Sequence, residues 1–447
     1  MEKEKNEIKI EQLDKYADAY NNDPKNIVLR HALSKTAIPQ VISVLEAEND
    51  IDQKFSIENK TLPVTNQLAS GRCWIFAGLN ILREIIAKNL DITQQFELSQ
   101  NFVAFYDKLE KVNYTFNTII ELIDQKPDDR ELMYILENGI GDGGQWDMFA
   151  DLIRKYGIVP KSAFRETYAS SHTRDIDDLI NSSVNKFACD VQTLHKNGKD
   201  KEILVLKDEY LSKIYNLLVN SFGVPPTSFD FEYVDKKEKY HVEKNLTPKS
   251  FFDKYIGEKI NDYVSIINSP TADKPFGKTF TIKYLGNVAG GKLVTHLNLP
   301  MERIKELIVS TLKAGELVWF GSDVSSYRNK ELGAWDDNLF DYASAFGLDI
   351  KFSKEQMLDY HQSVMNHAMV IVGVNLVDGI PTKWKIENSW GAETGEKGFY
   401  VMSSSWFDRY VYQAVINKKY LNENELAALK EEPIVLAPWD PMGTLAD

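Results

Sequence analysis

The stretch Gln67-Leu68-Ala69-Ser70-Gly71-Arg72-Cys73-Trp74-Ile75-Phe76-Ala77-Gly78-Leu79 decides the fold. An extended, proline-marked approach, Leu62-Pro63-Val64-Thr65-Asn66, leads into it. Beyond Trp74 the pattern turns helical: Ile75, Leu79, Leu82 and Ile86 recur at i, i+4, i+7 and i+11, one face of a buried helix. Cys73 thus falls at, or within one turn of, a helix N-terminus, where the macrodipole favours a thiolate and lowers its pKa. Gly71 just before it allows close backbone approach. A lone cysteine in an apolar pattern is more often a small buried residue, so this position alone does not make a nucleophile. Cys189 has no comparable setting and is read as such a residue.

Two distant segments give Cys73 its context. Asn366-His367-Ala368 enters the very apolar run 368–374, where an imidazole needs a partner. Glu387-Asn388-Ser389-Trp390-Gly391 leaves a strand in which Trp384, Ile386 and Asn388 alternate on one face. An amide oxygen from Asn388 can accept the imidazole N–H and fix its tautomer. Seen singly, His367 reads as a structural histidine and Asn388 as a turn residue. Taken together, Cys, His and Asn are a known variant of the nucleophile, base and orienter. The seven histidines show no metal-ligand spacing, and no metal or other cofactor is expected.

The rest of the chain gives the architecture. Residues 1–60 are charged and read as short amphipathic helices or a solvated arm. Helical periodicity continues over 97–136 and ends near Gly139-Ile140-Gly141-Asp142-Gly143-Gly144. Residues 160–285 are polar and irregular, with a helical stretch over 203–218 and an extended piece over 229–242. From 286 the signal sharpens: a helix opened by Pro300, then buried strands at 317–321, 368–374, 384–388 and 399–402. Helices first and strands later make an α+β protein with two halves.

Composition removes several classes. The 447 residues suffice for about three average domains or one large fold with insertions. An apolar content of 43% argues against wholesale disorder. Two cysteines cannot build a disulfide framework, which points to a reducing compartment. The net charge of −14 disfavours nucleic acid as a partner. Met1-Glu2-Lys3-Glu4 has no apolar core behind it, and no run of about 18 apolar residues occurs, so neither a secretory signal nor a membrane span is expected.

The motifs resemble those of papain-like cysteine peptidases. Gly71-Arg72-Cys73-Trp74 matches the second half of that signature, with Ser70 in place of its first cysteine. Gln67 stands six residues before Cys73, the spacing of the family's oxyanion glutamine. Glu97-Leu98-Ser99-Gln100, Asp142-Gly143-Gly144, Asn366-His367-Ala368 and Asn388-Ser389-Trp390-Gly391 follow in the family's order. Asn366 replaces an aspartate. The gap from Cys73 to His367 is about twice the roughly 130–150 residues of the signature, so about 150 residues are inserted. Those departures resemble the aminopeptidase C and bleomycin hydrolase family, as does the tail Glu432-Pro433-Ile434-Val435-Leu436-Ala437-Pro438-Trp439-Asp440-Pro441-Met442-Gly443.

The resemblance implies a papain-like fold, a helical half plus a β-sheet half, with helical insertions and an N-terminal arm. Its parts would be an arm over 1–60, a helical half over 61–159, an inserted oligomerisation region over 160–285, a β half over 286–430 and a strap over 431–447. It implies a cytoplasmic, homohexameric cysteine aminopeptidase acting on peptides with a free N-terminus. Cys73, His367, Asn388 and Gln67 would be catalytic. Gly71, Arg72, Gly143, Gly144, Asn366 and Trp390 would line the substrate site. The strap would end in the cleft at Ala446 and Asp447, its carboxylate facing the substrate's α-amine. Many relatives end at or near the alanine; Asp447 adds a residue and a second carboxylate. An endopeptidase of the same family, an inert peptide-binding scaffold and a thiol-dependent acyltransferase are the alternatives.

Overall fold

The computed structural model describes residues 7–93 and 95–446. The quoted stretch forms the helix Cys73–Leu90, and Ile75, Leu79, Leu82 and Ile86 are all buried on it. The helix stops at Asp91, which takes a left-handed conformation (φ 55°). Around it pack Gln100–Glu121 and Trp146–Tyr156. Ser99 caps the former, its hydroxyl accepting the Phe102 N–H and donating to the Phe164 carbonyl.

This helical half lies on a twelve-stranded sheet. Its centre runs, in spatial order, Tyr263–Ile267, Val411–Asn417, Val318–Ser322, His367–Val377, Ile380–Glu387 and Phe399–Ser403, each pair antiparallel. The run after His367 is apolar throughout because the strand is covered on both faces. Ala368, Val370 and Val372 join the core shared with the central helix, while Met369 and Ile371 join a second core beneath Met301–Lys313. Burial on both faces replaces alternation with continuous hydrophobicity.

The mixed α+β reading holds. Some local expectations shift. Pro300 caps the helix from outside rather than opening it, and the helix starts at Met301. The extended piece over 229–242 is a hairpin, Phe229–Val234 with Tyr240–Leu246, whose turn is held by Asp235 accepting the Lys237 and Lys239 N–H groups. The inserted region also holds the helix Arg174–Lys196, ahead of the helical stretch expected over 203–218; Ile176, Ile180, Val184, Phe187 and Val191 make its buried stripe. The N-terminal segment is helical at Ile10–Asn21 and Pro24–Leu33, and neither helix buries a residue. Among the described residues no helix is long and apolar enough to cross a membrane.

Candidate active site

Cys73 is the first residue of the central helix, and His367 is the first residue of the strand packed against it. The Ala368 N–H points at Cys73 Sγ, 3.4 Å away. His367 Nε2 lies 2.9 Å from Asn388 Oδ1. The Ser389 N–H also donates to that oxygen at 2.8 Å, which fixes the amide's orientation. With Nε2 facing Asn388, Nδ1 is the ring nitrogen left for chemistry. Trp390 stacks on the imidazole, centroids 4.8 Å apart at 28°.

Burial governs both ionisable groups. It pushes the Cys73 thiol up to about 11, against the opposing pull of the Ala368 and Trp74 N–H groups. The expectation of a thiol lowered by the helix start is therefore corrected: the site is covered, and desolvation outweighs the dipole. Burial likewise drives the His367 imidazole down to about 4, despite the Asn388 bond. Alone, each is neutral near pH 7. A charged pair would require one proton to pass from sulfur to imidazole, the opposite charges then stabilising one another in a low-dielectric site.

Gln67 is brought to the same place. Its backbone N–H donates to the Ser389 carbonyl, its Oε1 accepts the Ser389 hydroxyl at 2.6 Å and its Nε2 donates to the Ser70 carbonyl at 2.6 Å. One amide N–H remains for an incoming oxygen. Ser70, standing where the signature has a cysteine, ties the turn by donating to the Gln67 carbonyl and accepting from Arg72 Nε. The Arg72 guanidinium is buried against Glu166 at 3.1 Å.

Gly71 lacks a side chain because Asp142 occupies the space; a Cβ there would meet Asp142 Cβ at 2.8 Å. Asp142 Oδ2 instead accepts the Gly71 N–H at 2.7 Å, and its other oxygen pairs with the buried Lys108 at 2.8 Å. Burial alone would raise this carboxyl, but Lys108, Thr173 and Gly71 outweigh it and hold Asp142 well below the usual carboxylate range. Nothing local in the glycine cluster over 139–144 marks Asp142 for this anchoring part. Gly144 lies flat on the Trp74 indole, where a Cβ would sit 2.5 Å from the ring. The Gly143 carbonyl accepts from Lys111 at 2.5 Å.

The tail closes this side. Ile434–Leu436 adds a parallel strand to Thr279–Ile282, and Trp439 lies under Arg130, 3.7 Å from the ring centroid. Pro441–Ala446 then turns in against the site. The Gly144 N–H donates to the Leu445 carbonyl at 2.9 Å, and Thr444 Oγ1 donates to the carbonyl of Met365 at 3.0 Å. Leu445 is buried, beside Gly321. Ala446 borders the cavity lined by Tyr134, Gly139 and Lys283. Asp447 lies outside the described residues. Asn366 is exposed, yet its amide is engaged by Asp323, Ser325 and the Val324 N–H, so it shapes the 323–325 loop. Among the described residues no group of three or more His, Cys, Asp or Glu side chains is gathered as a metal site.

The description Peptidase C1-like family fits residues 7–443. The chain is 45% identical to aminopeptidase C of Lactobacillus delbrueckii subsp. lactis over 444 residues, 98% of this chain and 99% of that one. It is 40% identical to aminopeptidase C of Listeria monocytogenes over 441 residues, again 98% and 99%. A crystal structure of PepW from Lactobacillus rhamnosis superposes with a TM-score of 0.96 at 45% identity, covering 98% of this chain and 99% of that one.

Proposed function

This chain belongs to the Peptidase C1-like family, and we propose that it is a cysteine aminopeptidase in which Cys73, His367, Asn388 and Gln67 carry the reaction. The observation that carries the reading is the His367 Nε2 to Asn388 Oδ1 bond beside a Cys73 thiol at a helix start. His367 takes the thiol proton, and the thiolate attacks the scissile carbonyl. The developing oxyanion is received by the Gln67 Nε2 and Cys73 backbone N–H groups. The tetrahedral intermediate collapses to a thioester as His367 protonates the leaving amine. Water, deprotonated by His367, then releases the acyl product and restores the thiol. Trp390 keeps bulk water from the His367–Asn388 bond.

Removal of N-terminal residues is supported by the tail. Leu445 accepts from the Gly144 N–H as an extended substrate residue would, so the cleft on that side is already filled. A peptide then fits only with its free amine against the tail and its remainder running the other way. Gly71, Gly143 and Gly144 supply backbone walls, and Ala446 with Asp447 supplies the anion that meets the amine. The chain works as a homohexamer in the cytoplasm in this reading. Ile10, Leu13, Tyr16 and Val28, exposed on the N-terminal helices, are then covered by further copies.

The experiment pairs aminoacyl substrates with their N-blocked counterparts, for the whole chain and for a form lacking residues 444–447. Turnover of free-amine substrates, abolished by iodoacetamide, is expected from the whole chain. The shortened form is expected to gain cleavage of blocked and internal bonds. A shortened form that still demands a free amine refutes the tail's part. Turnover of blocked substrates by the whole chain would favour an endopeptidase, and turnover of none would favour a scaffold.

A further inference from the structure

The two flanks of His367 are built differently. On one, Gly144 and Met365 hold the tail. On the other, Trp390 lies against the imidazole and carries Arg328, whose guanidinium carbon is 5.3 Å from the ring centroid. Arg328 is not on a loose loop. It begins the short strand Arg328–Asn329, paired with Ala334–Trp335, which in turn pairs with Phe399–Ser403. Trp335 packs on Trp390, centroids 6.1 Å apart, so the platform under the guanidinium is braced from behind.

Arg328 is exposed, and among the described residues no carboxylate forms an ion pair with it. Arg409, which lies over the ring of the neighbouring Tyr327, is by contrast paired with Asp337. The chain has 66 acidic against 52 basic side chains, so a cation left without an acid beside the reacting groups has another use.

We propose that Arg328 forms an anion subsite on the leaving-group side of the scissile bond, taking a carboxylate that the substrate carries one to three residues beyond that bond. This rests on Cys73 and His367 being the reacting pair. The guanidinium lies no farther from the imidazole than the two ring spacings combined, and extended peptide advances about 3.3–3.6 Å per residue. A di- or tripeptide therefore brings its terminal carboxylate to Arg328, as does a longer peptide with Asp or Glu early in its leaving group. The planar fork can donate two N–H bonds to one carboxylate, and its place over the Trp390 ring restricts the fork. In a chain of net charge −14 this local cation also offsets the general repulsion of anionic substrates.

The test compares substrate pairs that differ only in one charge. Ala-Ala against Ala-Ala-amide reads the main-chain carboxylate; Ala-Glu-amide against Ala-Gln-amide reads the side-chain one. Wild type is expected to favour at least one carboxylate form by about tenfold in kcat/KM, the preferred pair identifying the source. That ratio is expected to fall to near one in Arg328→Met, to be partly kept in Arg328→Lys, and to fall in the wild type as salt is raised. Ratios near one in wild type for both pairs, or an unchanged ratio in Arg328→Met, overturn the proposal. A Cys73→Ala protein titrated with the same four peptides by calorimetry reads the subsite without turnover. A carboxylate preference there that Arg328→Met abolishes supports the subsite even if aminopeptidase activity is absent, and no preference there refutes it.

Discussion

Breaking the buried pair Arg83–Glu387 is expected to disturb both stability and catalysis, because that pair joins the two halves directly behind the site. Glu387 precedes Asn388, and its side chain is wholly buried. Its Oε1 accepts from Arg83 at 2.9 Å and from Asn80 at 2.9 Å, both on the helix that begins at Cys73. Asn80 also donates to Thr65 at 3.1 Å, on the segment leading to Gln67. One carboxylate thus sets the spacing between the helix of the thiol, the strand end of the orienting amide and the approach to the glutamine. Arg83→Met removes one charge and leaves the other buried, which costs about 3–5 kcal/mol. Glu387→Leu strands the guanidinium similarly, with Glu84 at 3.3 Å as its remaining acid. The double variant leaves neither buried charge uncompensated, so its loss is expected to be smaller than the sum of the singles by about 1–3 kcal/mol. Urea unfolding at fixed protein concentration gives the stabilities, and kcat/KM on an aminoacyl substrate gives the second readout. A displacement of about 1 Å at Asn388 or Cys73 is worth on the order of 100-fold in rate, so kcat is expected to fall in Glu387→Leu, which removes the shared acceptor, with KM little changed. Strict additivity of the stabilities, or full activity in Glu387→Leu, would refute the reasoning.

Two further outcomes follow from the same geometry. Gln67→Ala removes one oxyanion donor and is expected to lower kcat by about 100-fold or more with KM nearly constant; steady-state kinetics on an aminoacyl substrate checks this, and a pure KM effect would count against the role. Burial drives His296 down to about 4, and its Nδ1 lies 2.7 Å from the Ser265 hydroxyl, so it folds neutral. A depressed histidine contributes stability that is present above its unfolded value of 6.5 and is lost as pH falls towards about 4. The loss amounts to about 3 kcal/mol over that window. His296→Asn is expected to flatten part of the acid slope of the urea midpoint, and an unchanged slope would contradict the assignment.

What could be read from the sequence, and what could not, divides by the range of the interaction. The central helix was legible because its burial repeats every 3.6 residues, and the strand after His367 because a run buried on both faces has no polar position. Arg174–Lys196 carries an equally regular stripe, but the lysines, aspartates and asparagines around it lowered the average and hid the period. Cys73, His367 and Asn388 were legible as residue types whose chemistry is complementary. Their electrostatics were not. A helix start argues for a low thiol pKa, and only the burial of Cys73 in the folded chain, which outweighs the pull of the Ala368 and Trp74 N–H groups, shows why the thiol is instead pushed up. Arg72 illustrates the same limit: its place beside the cysteine is local, while its turn into Glu166 depends on a residue far along the chain. Asp142, Arg83 and Glu387 left no local signal, since a buried ion pair is a property of two separated positions. The site therefore has two layers. The proposed reacting groups are announced by short motifs, and the groups that hold them are fixed by contacts between halves. Substitutions in the second layer are the ones that can alter rate while leaving every motif intact.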